Sequence, residues 1–353
     1  MASSDPFANI KAQDMWGKNS APIWIASSFF LKRNLSSSLF PLKMGKEESY
    51  ATLTTLKRSL MGALPLKNST FYDIDQLNSW EREYLFEHFL ATYDAGNTAC
   101  KSGMVIDQSG NFFAIINDKE HLIMCSLDTQ ANWEAAWKKL STIEVELSNK
   151  LSFAYSRAFG YLTSNPSNSG TALTVRALLH IPSLIHLGQL DDVLVKEIDN
   201  EISVYGLMGQ SNFIGDIAII QNRFTLGLTE DDILRRVHKS ATTLINVEKR
   251  LRNTLIEAPH DLILDRVRRS VGLLKYSYQI ERKEVLSALS FIKLGIDLNW
   301  IVGMGMKEIN KLFFEMYHAR SIVSQCGKVV HDQTPHKRAE FLREALKSIS
   351  IDL

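Results

Sequence analysis

The segment between residues 159 and 174 constrains the fold of this chain more than any other part of the sequence. It starts with the apolar, strand-like letters FGYL, continues through the turn-rich run TSNPSNSG, and leads into a mostly apolar run from Val175 to Leu184. Proline, glycine, asparagine and serine that cluster between two apolar segments are typical of a tight, ordered loop. The pattern therefore predicts a strand, a loop, and then a second strand or a helix.

Length and composition indicate an ordinary globular protein. The chain has 353 residues, which is enough for one large or two moderate domains. Its 45% hydrophobic and 22% charged residues are typical of a chain that buries a core. The net charge of +1 gives no reason to expect nucleic acid or an acidic membrane surface as the main partner.

The sequence also constrains location and metal binding. The cysteines Cys100, Cys125 and Cys326 are few and widely spaced, which is typical of a reducing compartment and gives no zinc-ligand pattern. No apolar run is long enough to span a membrane, and the N-terminal letters MASSDP lack the charged-then-apolar order of a signal peptide. We therefore expect a cytoplasmic protein without a metal site, and we expect Cys125 to be a core residue.

Two zones of different pattern divide the chain. In the first, short apolar runs alternate with turns and helical patterns, which predicts strands flanked by helices. From Thr229 onward the pattern is helical, because Thr229 is a candidate N-cap and Asp232 completes a capping box. We therefore expect an α+β domain over residues 1–225 and an all-helical domain over residues 226–353.

Individual elements follow from the same patterns. Strands are expected in the apolar runs at 23–26, 104–106, 112–116 and 217–220. Helices are expected at 75–92, 131–158, 229–258, 262–275, 283–296, 305–323 and 335–349. The helix that starts at Thr229 should end near Pro259 and bury residues that share one face, namely Ile233, Val237, Ala241, Leu244, Leu251 and Leu255.

The segment 159–174 resembles a signature of the ATP:guanido phosphotransferases, or phosphagen kinases, which reads GYLT-CPTN-GTGLR. The cysteine of that signature corresponds to Asn165 and its arginine to Thr174. Further runs resemble signatures of the bacterial protein-arginine kinases of the McsB type, namely 77–90, 265–272 and 293–298. The resemblance implies a phosphagen-kinase domain, an antiparallel sheet flanked by helices, followed by an all-helical C-terminal domain.

The family transfers a phosphoryl group from Mg-ATP to a guanidinium nitrogen, and this chemistry depends on positioning and electrostatics. In the family, arginines surround the triphosphate, because their planar guanidinium groups suit phosphate oxygens. The resemblance places the phosphate-binding arginines at positions that carry uncharged residues here. These positions are Ser28, Phe30, Ile123, Thr174 and Tyr205.

The carboxylates of the family site are also replaced. The glutamate that grips the substrate guanidinium in the motif N-E-E-D-H-L-R corresponds to Lys119, and the glutamate of the motif R-G-x-x-G-E corresponds to Gln210. An ammonium in place of a carboxylate repels a guanidinium instead of attracting it. Lys32 and Arg33 remain basic, but on a strand Arg33 would point away from Phe30. The resemblance therefore predicts a catalytic site without intact catalytic or nucleotide-binding residues.

Two functions from different classes follow from the resemblance. The first is a pseudokinase adaptor, a McsB-like protein-arginine kinase homologue that has lost ATP binding and phosphoryl transfer and needs no cofactor, although the family uses Mg-ATP. The second is an active protein-arginine kinase with a rearranged site. The replacements at the phosphate-binding and guanidinium-binding positions favour the first. The resemblance also implies protein partners, such as a McsA-like zinc protein or a Clp-type chaperone–protease, and leaves a homo-oligomer open.

The C-terminal domains of McsB-type proteins recognise phosphoarginine, and their tail resembles R-D-x-x-R-A-x-x-I-R. Arg338 and Arg343 match this run, whereas Thr334 and Pro335 replace its Arg-Asp pair. Arg338 and Arg343 are therefore a candidate phosphoarginine or anion site.

Other charged and titratable residues have a simpler interpretation. The basic clusters 249–252 and 266–269 are expected to be solvated helix faces, with an anion site as the alternative. His121 and His180 flank apolar residues, so we expect hydrogen-bonded structural histidines rather than catalytic ones.

Overall fold

The structure is a computed structural model that describes residues 18–78, 81, 82, 85, 100–207, 209, 212–317 and 335–352. The strands are β1 (Trp24–Arg33), β2 (Thr70–Asp73), β3 (Gly103–Ile106), β4 (Phe112–Ile116), β5 (Leu122–Asp128), β6 (Tyr155–Ser156), β7 (Gly160–Tyr161), β8 (Leu173–His180), β9 (Ile202–Gly206), β10 (Ile217–Asn222), β11 (Ile301–Val302) and β12 (Ser350–Ile351). The helices are α1 (Lys46–Met61), α2 (Trp133–Ser148), α3 (Pro182–His186), α4 (Leu190–Glu197), α5 (Glu230–Glu257), α6 (Asp261–Tyr276), α7 (Arg282–Asp297), α8 (Met306–Tyr317) and α9 (Pro335–Ala345).

An eight-stranded antiparallel sheet forms the centre of the first zone. Its strand order is β2-β3-β4-β5-β1-β8-β10-β9. β1 lies in the interior of the sheet, where Phe30 is level with Cys125 of β5 and with Thr174 of β8. The predicted antiparallel sheet with flanking helices is therefore confirmed.

Both faces of the sheet are buried against other elements, which explains the continuous apolar runs. In β4 every residue is buried, and alternate side chains enter different cores. Phe112 and Ala114 face one core, and Phe113 and Ile115 face the other. Strands that are buried on both faces lack polar alternation.

Helices α1, α2 and α5 cover the first face of the sheet. α5 begins as predicted, because the Thr229 hydroxyl accepts a hydrogen bond from the backbone N–H of Asp232 at 3.1 Å and the Asp232 carboxylate accepts one from the Thr229 N–H. α5 ends at Glu257, before Pro259. All six residues predicted for its inner face are buried.

The core on the second face continues into helices α6–α9. The turn before β10 connects the two parts, because Gly215 has a φ of 68° and a Cβ there would lie 2.5 Å from the ring of Phe313 on α8. The next residue, Asp216, accepts hydrogen bonds from His186 of α3 at 2.9 Å and from Ser290 of α7. The C-terminal part is helical as predicted and also contains the short antiparallel pair β11–β12.

The structure differs from the sequence-based expectations at the first two helices. α1 was not predicted, and α2 ends at Ser148, ten residues before the expected end, because the chain turns into the β6–β7 hairpin. The expected helix at 75–92 lies mostly outside the described residues. The domain boundary near residue 225 stays a prediction. Within the described ranges, no helix has the length and hydrophobicity needed to cross a bilayer.

Candidate functional site

The sheet brings all five positions of the expected phosphate-binding arginines to its second face. Side chains alternate along a strand, so Ser28 and Phe30 of β1 point to the same face. Phe30 is level with Thr174 of β8, and Ile123 of β5 is level with Lys32, two residues beyond Phe30. Tyr205 of β9 packs against the same core as Phe30. These five positions therefore share one surface of the sheet, and none of them carries a charge.

The two positions on β1 are filled and closed to solvent. Ser28 is fully buried, and its hydroxyl has no hydrogen-bond partner among the described residues. Phe30 is 8% exposed and packs edge-on against Phe113, with 6.2 Å between the ring centroids. β1 thus carries the apolar ring of Phe30 at a position where the resemblance implies a phosphate-binding arginine.

The loop between β4 and β5 carries the position of the guanidinium-binding glutamate. Lys119 is exposed there, while the next residue, Glu120, is buried. The Glu120 carboxylate accepts hydrogen bonds from Asn34 and from the backbone N–H and hydroxyl of Ser164. Glu120 therefore anchors the loop after β7 to the end of β1.

Asn165 stands where the family signature has its cysteine. Its side-chain oxygen accepts hydrogen bonds from the backbone N–H and the hydroxyl of Ser167, at 3.1 and 2.8 Å. The side chain thus caps the short helical turn Pro166–Asn168. The Asn165 amide stabilises the loop locally.

Arg176, which the motif comparison missed, lies on the same face of β8 as Thr174. Its Nε donates a hydrogen bond to Oε1 of Gln221 at 2.7 Å, and the same oxygen accepts the hydroxyl of Tyr205 at 2.7 Å. Strand alternation was the available signal, because residues two apart on a strand share a face. The strand therefore carries a guanidinium two residues beyond the position that the family motif assigns.

Lys32 and Arg176 form the cationic part of this surface. Burial lowers the pKa of the Lys32 ammonium, the Glu120 carboxylate raises it, and Arg176 and Lys119 lower it further. Burial raises the pKa of the Tyr205 hydroxyl. The Arg176 guanidinium carbon lies 4.8 Å from the centroid of the Phe30 ring, and Lys32 is two residues further along the same face of β1, so both cations belong to one surface.

Arg33 points away from this surface, as predicted. It is 2% exposed, and its Nε donates to the Glu144 carboxylate of α2 at 2.8 Å. Its guanidinium also stacks on the ring of Tyr161 at 3.4 Å. Arg33 therefore links β1 to α2 and to the β6–β7 hairpin.

The remaining candidates have structural partners or lie outside the described residues. His121 and His180 are buried and hydrogen-bonded, as predicted, and Cys125 is fully buried in the core. Gln210 lies outside the described residues. Across the described part of the chain, no cluster of three or more His, Cys, Asp or Glu residues could hold a metal ion.

Arg338 and Arg343 lie on α9 and reach the connection between α6 and α7. Arg338 donates to the carbonyl of Ile280 at 2.7 Å, and Arg343 donates to that of Ser277 at 2.6 Å. These contacts give both arginines a structural role. Thr334 lies outside the described residues, and phosphoarginine recognition stays a prediction.

Comparisons with known proteins cover both parts of the chain. Residues 54–251 match the ATP:guanido phosphotransferase C-terminal catalytic domain, and residues 260–352 match the protein-arginine kinase McsB C-terminal domain. The protein-arginine kinase of Chlamydia pneumoniae is 34% identical over 341 residues, covering 93% of each chain. The protein-arginine kinase of Halothermothrix orenii is 28% identical and covers 92% of this chain and 93% of its own.

Solved structures show the same fold. Lombricine kinase superposes with a TM-score of 0.58 at 18% identity, over 72% of this chain and 74% of its own. The substrate-free duplicated taurocyamine kinase from Schistosoma mansoni gives a TM-score of 0.59 at 19% identity, over 84% of this chain and 48% of its own. The chain therefore belongs to the ATP:guanido phosphotransferase family, and it carries the C-terminal domain of the protein-arginine kinase McsB.

Proposed function

We propose that this protein is a McsB-like pseudokinase that neither binds Mg-ATP nor transfers a phosphoryl group, and that it acts as an adaptor for other proteins in the cytoplasm. One observation carries the proposal: Phe30 fills the centre of the expected phosphate site and packs on Phe113. The residues at this surface do not fit a triphosphate, since the five expected arginine positions are uncharged.

The binding free energy that the missing arginines would contribute supports this proposal. A hydrogen bond to a charged group contributes about 1.5–3 kcal/mol. The loss of three such arginines would remove about 4–9 kcal/mol, whereas the whole binding free energy of a micromolar ligand is about 8 kcal/mol. Arg176 can replace at most one of them, and Lys119 repels a substrate guanidinium.

An exposed stripe on α6 supports the adaptor role. Leu262, Leu273 and Tyr276 are 68%, 39% and 84% exposed, and they alternate with Arg266 and Arg269 at helical spacing along one face. Exposed apolar side chains that line up on one helix are typical of protein interaction sites. A McsA-like zinc protein and a Clp-type chaperone–protease are the partners that the family suggests.

The adaptor role can be tested by binding to these two purified partners. We expect wild type to bind at least one of them and Leu273→Glu to weaken the complex, while Leu64→Glu, at a more exposed leucine on the connection after α1, should not. Binding to neither partner would contradict the partner assignment. Equal binding by both variants would remove α6 as the contact surface.

The loss of catalysis can be tested with purified protein. We expect no heat of binding in a calorimetric titration with millimolar Mg-ATP, and no phosphoarginine on an unfolded protein substrate by mass spectrometry. Phosphoarginine that wild type produces and Arg176→Gln does not would overturn the proposal, because that variant separates this site from a contaminating kinase.

A specific observation also favours a second candidate, an active protein-arginine kinase with a rearranged site. Arg176 and Lys32 supply two positive charges on the correct face of the sheet, and the curated relatives are named protein-arginine kinases. On this alternative, Mg-ATP binding and phosphoarginine formation should both depend on Lys32 and Arg176. The same two measurements therefore separate the candidates.

A further inference from the structure

A patch of half-buried polar side chains crosses the second face of the sheet. We call it the Lys32–Arg176 patch, and it comprises Lys32, Thr174, Arg176 and Tyr205. Thr174 is level with Phe30 on β1, and Arg176 is level with Gln221 on β10. Around it, Ser28 and Phe30 are buried. The patch is thus the accessible polar remainder of the surface that the family uses for nucleotide.

Positive charge dominates the patch and its rim. The Arg176 guanidinium lies over the Phe30 ring, and Lys32 is two residues further along the same face of β1. The Glu120 carboxylate attracts the Lys32 ammonium, whereas Arg176 and Lys119 repel it. That carboxylate is already bound by Asn34 and by the backbone N–H and hydroxyl of Ser164. Cations that are held together while partly desolvated repel each other. An anion placed between Lys32 and Arg176 would relieve this repulsion.

The guanidinium of Arg176 is held in a defined orientation. Gln221 accepts a hydrogen bond from its Nε at 2.7 Å, and its Cζ lies 4.8 Å from the centroid of the Phe30 ring. Gln221 is fixed in turn by the Tyr205 hydroxyl at 2.7 Å. A guanidinium that is oriented before binding loses less entropy when it binds an oxyanion.

We propose that the Lys32–Arg176 patch binds a single phosphate group, free or as a monoester or phosphoramidate, through Lys32 and Arg176, with the hydroxyls of Thr174 and Tyr205 beside it. A phosphate monoester carries a charge of about −1.5 to −2 at neutral pH, which two cations neutralise. A triphosphate carries more charge and would need the positions that Ser28 and Phe30 close. This inference rests on the proposed loss of Mg-ATP binding.

The test is calorimetric titration of the full chain at constant ionic strength, set with sodium chloride. The probes are inorganic phosphate, phosphoarginine and Mg-ATP, in separate experiments. We expect phosphate or phosphoarginine to bind wild type, and Arg176→Gln and Lys32→Met each to weaken binding roughly tenfold or more, since each removes a charge-assisted contact. Tighter binding of phosphoarginine than of phosphate would identify a phosphorylated side chain as the source of the anion.

The matched control is Arg235→Gln, which removes an exposed arginine from α5, on the other side of the sheet, and should leave phosphate binding unchanged. Arg176→Lys keeps the charge and should restore part of the affinity, which guards against a folding defect in Arg176→Gln. If neither phosphate nor phosphoarginine binds and Mg-ATP also fails to bind, the inference is wrong and the pseudokinase proposal stands. If Mg-ATP binds more tightly than phosphate, both are wrong.

Discussion

The guanidinium carbon of Arg176 lies 4.8 Å from the centroid of the Phe30 ring, and Phe113 packs edge-on against the same ring, at 6.2 Å between centroids. One aromatic side chain therefore fills the expected phosphate site and supports the arginine beside it. The two roles are physically distinct. The ring fills the site through its volume, and it supports the Arg176 guanidinium through its π face.

We expect Phe30→Ala to destabilise the protein by about 3–5 kcal/mol, because it leaves a cavity against Phe113. Phe30→Leu should cost less, since most of the volume remains, but it should still loosen Arg176, because the aromatic face is lost. The measurement is urea unfolding of both variants. Equal stability of Phe30→Ala and wild type would show that the ring is not part of the core.

Two neighbouring serines on β1 provide a matched pair. Ser27 and Ser28 are both fully buried, but only the Ser27 hydroxyl has a partner among the described residues, the indole N–H of Trp24 at 2.8 Å. Ser27→Ala should therefore cost about 0.5–1.5 kcal/mol, whereas Ser28→Ala should be neutral or slightly stabilising. The measurement is the free energy of unfolding of each variant. A larger loss of stability for Ser28→Ala than for Ser27→Ala would contradict the packing described for that face.

The sequence correctly predicted those helices whose capping residues and apolar periodicity lie within one continuous segment. The capping box at Thr229 and the apolar face of α5 are local, and both are observed. Helix α1 escaped prediction because its buried residues, such as Leu56 and Leu60, stand among serine and threonine, so that packing on the sheet determines the helix.

In the candidate site, the sequence predicted only those residues that align with a position of a family motif. The five uncharged positions followed from the family resemblance, and the face of Arg33 followed from strand alternation. Arg176 did not, because its significance depends on neighbouring strands, which place Gln221 and Phe30 beside it. The early end of α2 has a similar cause, since Tyr155 and Tyr161 pack together in the hairpin, 5.4 Å apart between ring centroids.

A buried ion-pair network should be sensitive to the loss of one partner. Arg252 is 3% exposed and donates to Glu248 and Asp297, each at 2.7 Å. Arg252→Met leaves the buried Glu248 carboxylate without its counterion, so we expect a loss of about 3–5 kcal/mol. Arg250→Met, at an exposed position on the same helix, should change the free energy of unfolding little. Similar unfolding midpoints for the two variants would show that the network contributes nothing net.

Acidification should destabilise the protein through its buried histidines. Burial lowers the pKa of both His121 and His180 below the ordinary value of 6.5, and for His180 the nearby Lys293 and Arg252 lower it further. The unfolded chain therefore takes up protons before the folded chain does as the pH falls. Stability is fully present above about pH 6.5 and should fall below it, by at most about 1.4 kcal/mol per pH unit for each histidine.

Urea unfolding at pH 7.5 and pH 5.5 measures this effect, and His180→Gln should reduce the difference between the two pH values. The glutamine amide can still accept from Arg252 and donate to Ser290, while it cannot take up a proton. A pH-independent free energy of unfolding over this range would contradict the buried, neutral state of the two histidines.

Arginines introduced at the expected phosphate-binding positions should show whether the site lost Mg-ATP binding because it lost these charges. Ile123 and Thr174 are half-buried, so an arginine there can extend toward solvent, whereas Ser28 is fully buried and has no room for one. We therefore expect the triple variant Phe30→Arg, Ile123→Arg, Thr174→Arg to bind Mg-ATP measurably, with each arginine that reaches a phosphate adding about 1.5–3 kcal/mol. Adding Ser28→Arg should lower stability without improving affinity.

Phosphoryl transfer should additionally require Lys119→Glu, because the substrate guanidinium needs a carboxylate partner. Calorimetric titration with Mg-ATP compares wild type with each variant, and unfolding curves monitor the loss of the Phe30 ring. If wild type binds Mg-ATP as tightly as the triple variant, the nucleotide is held by other residues, and the uncharged positions do not explain the site.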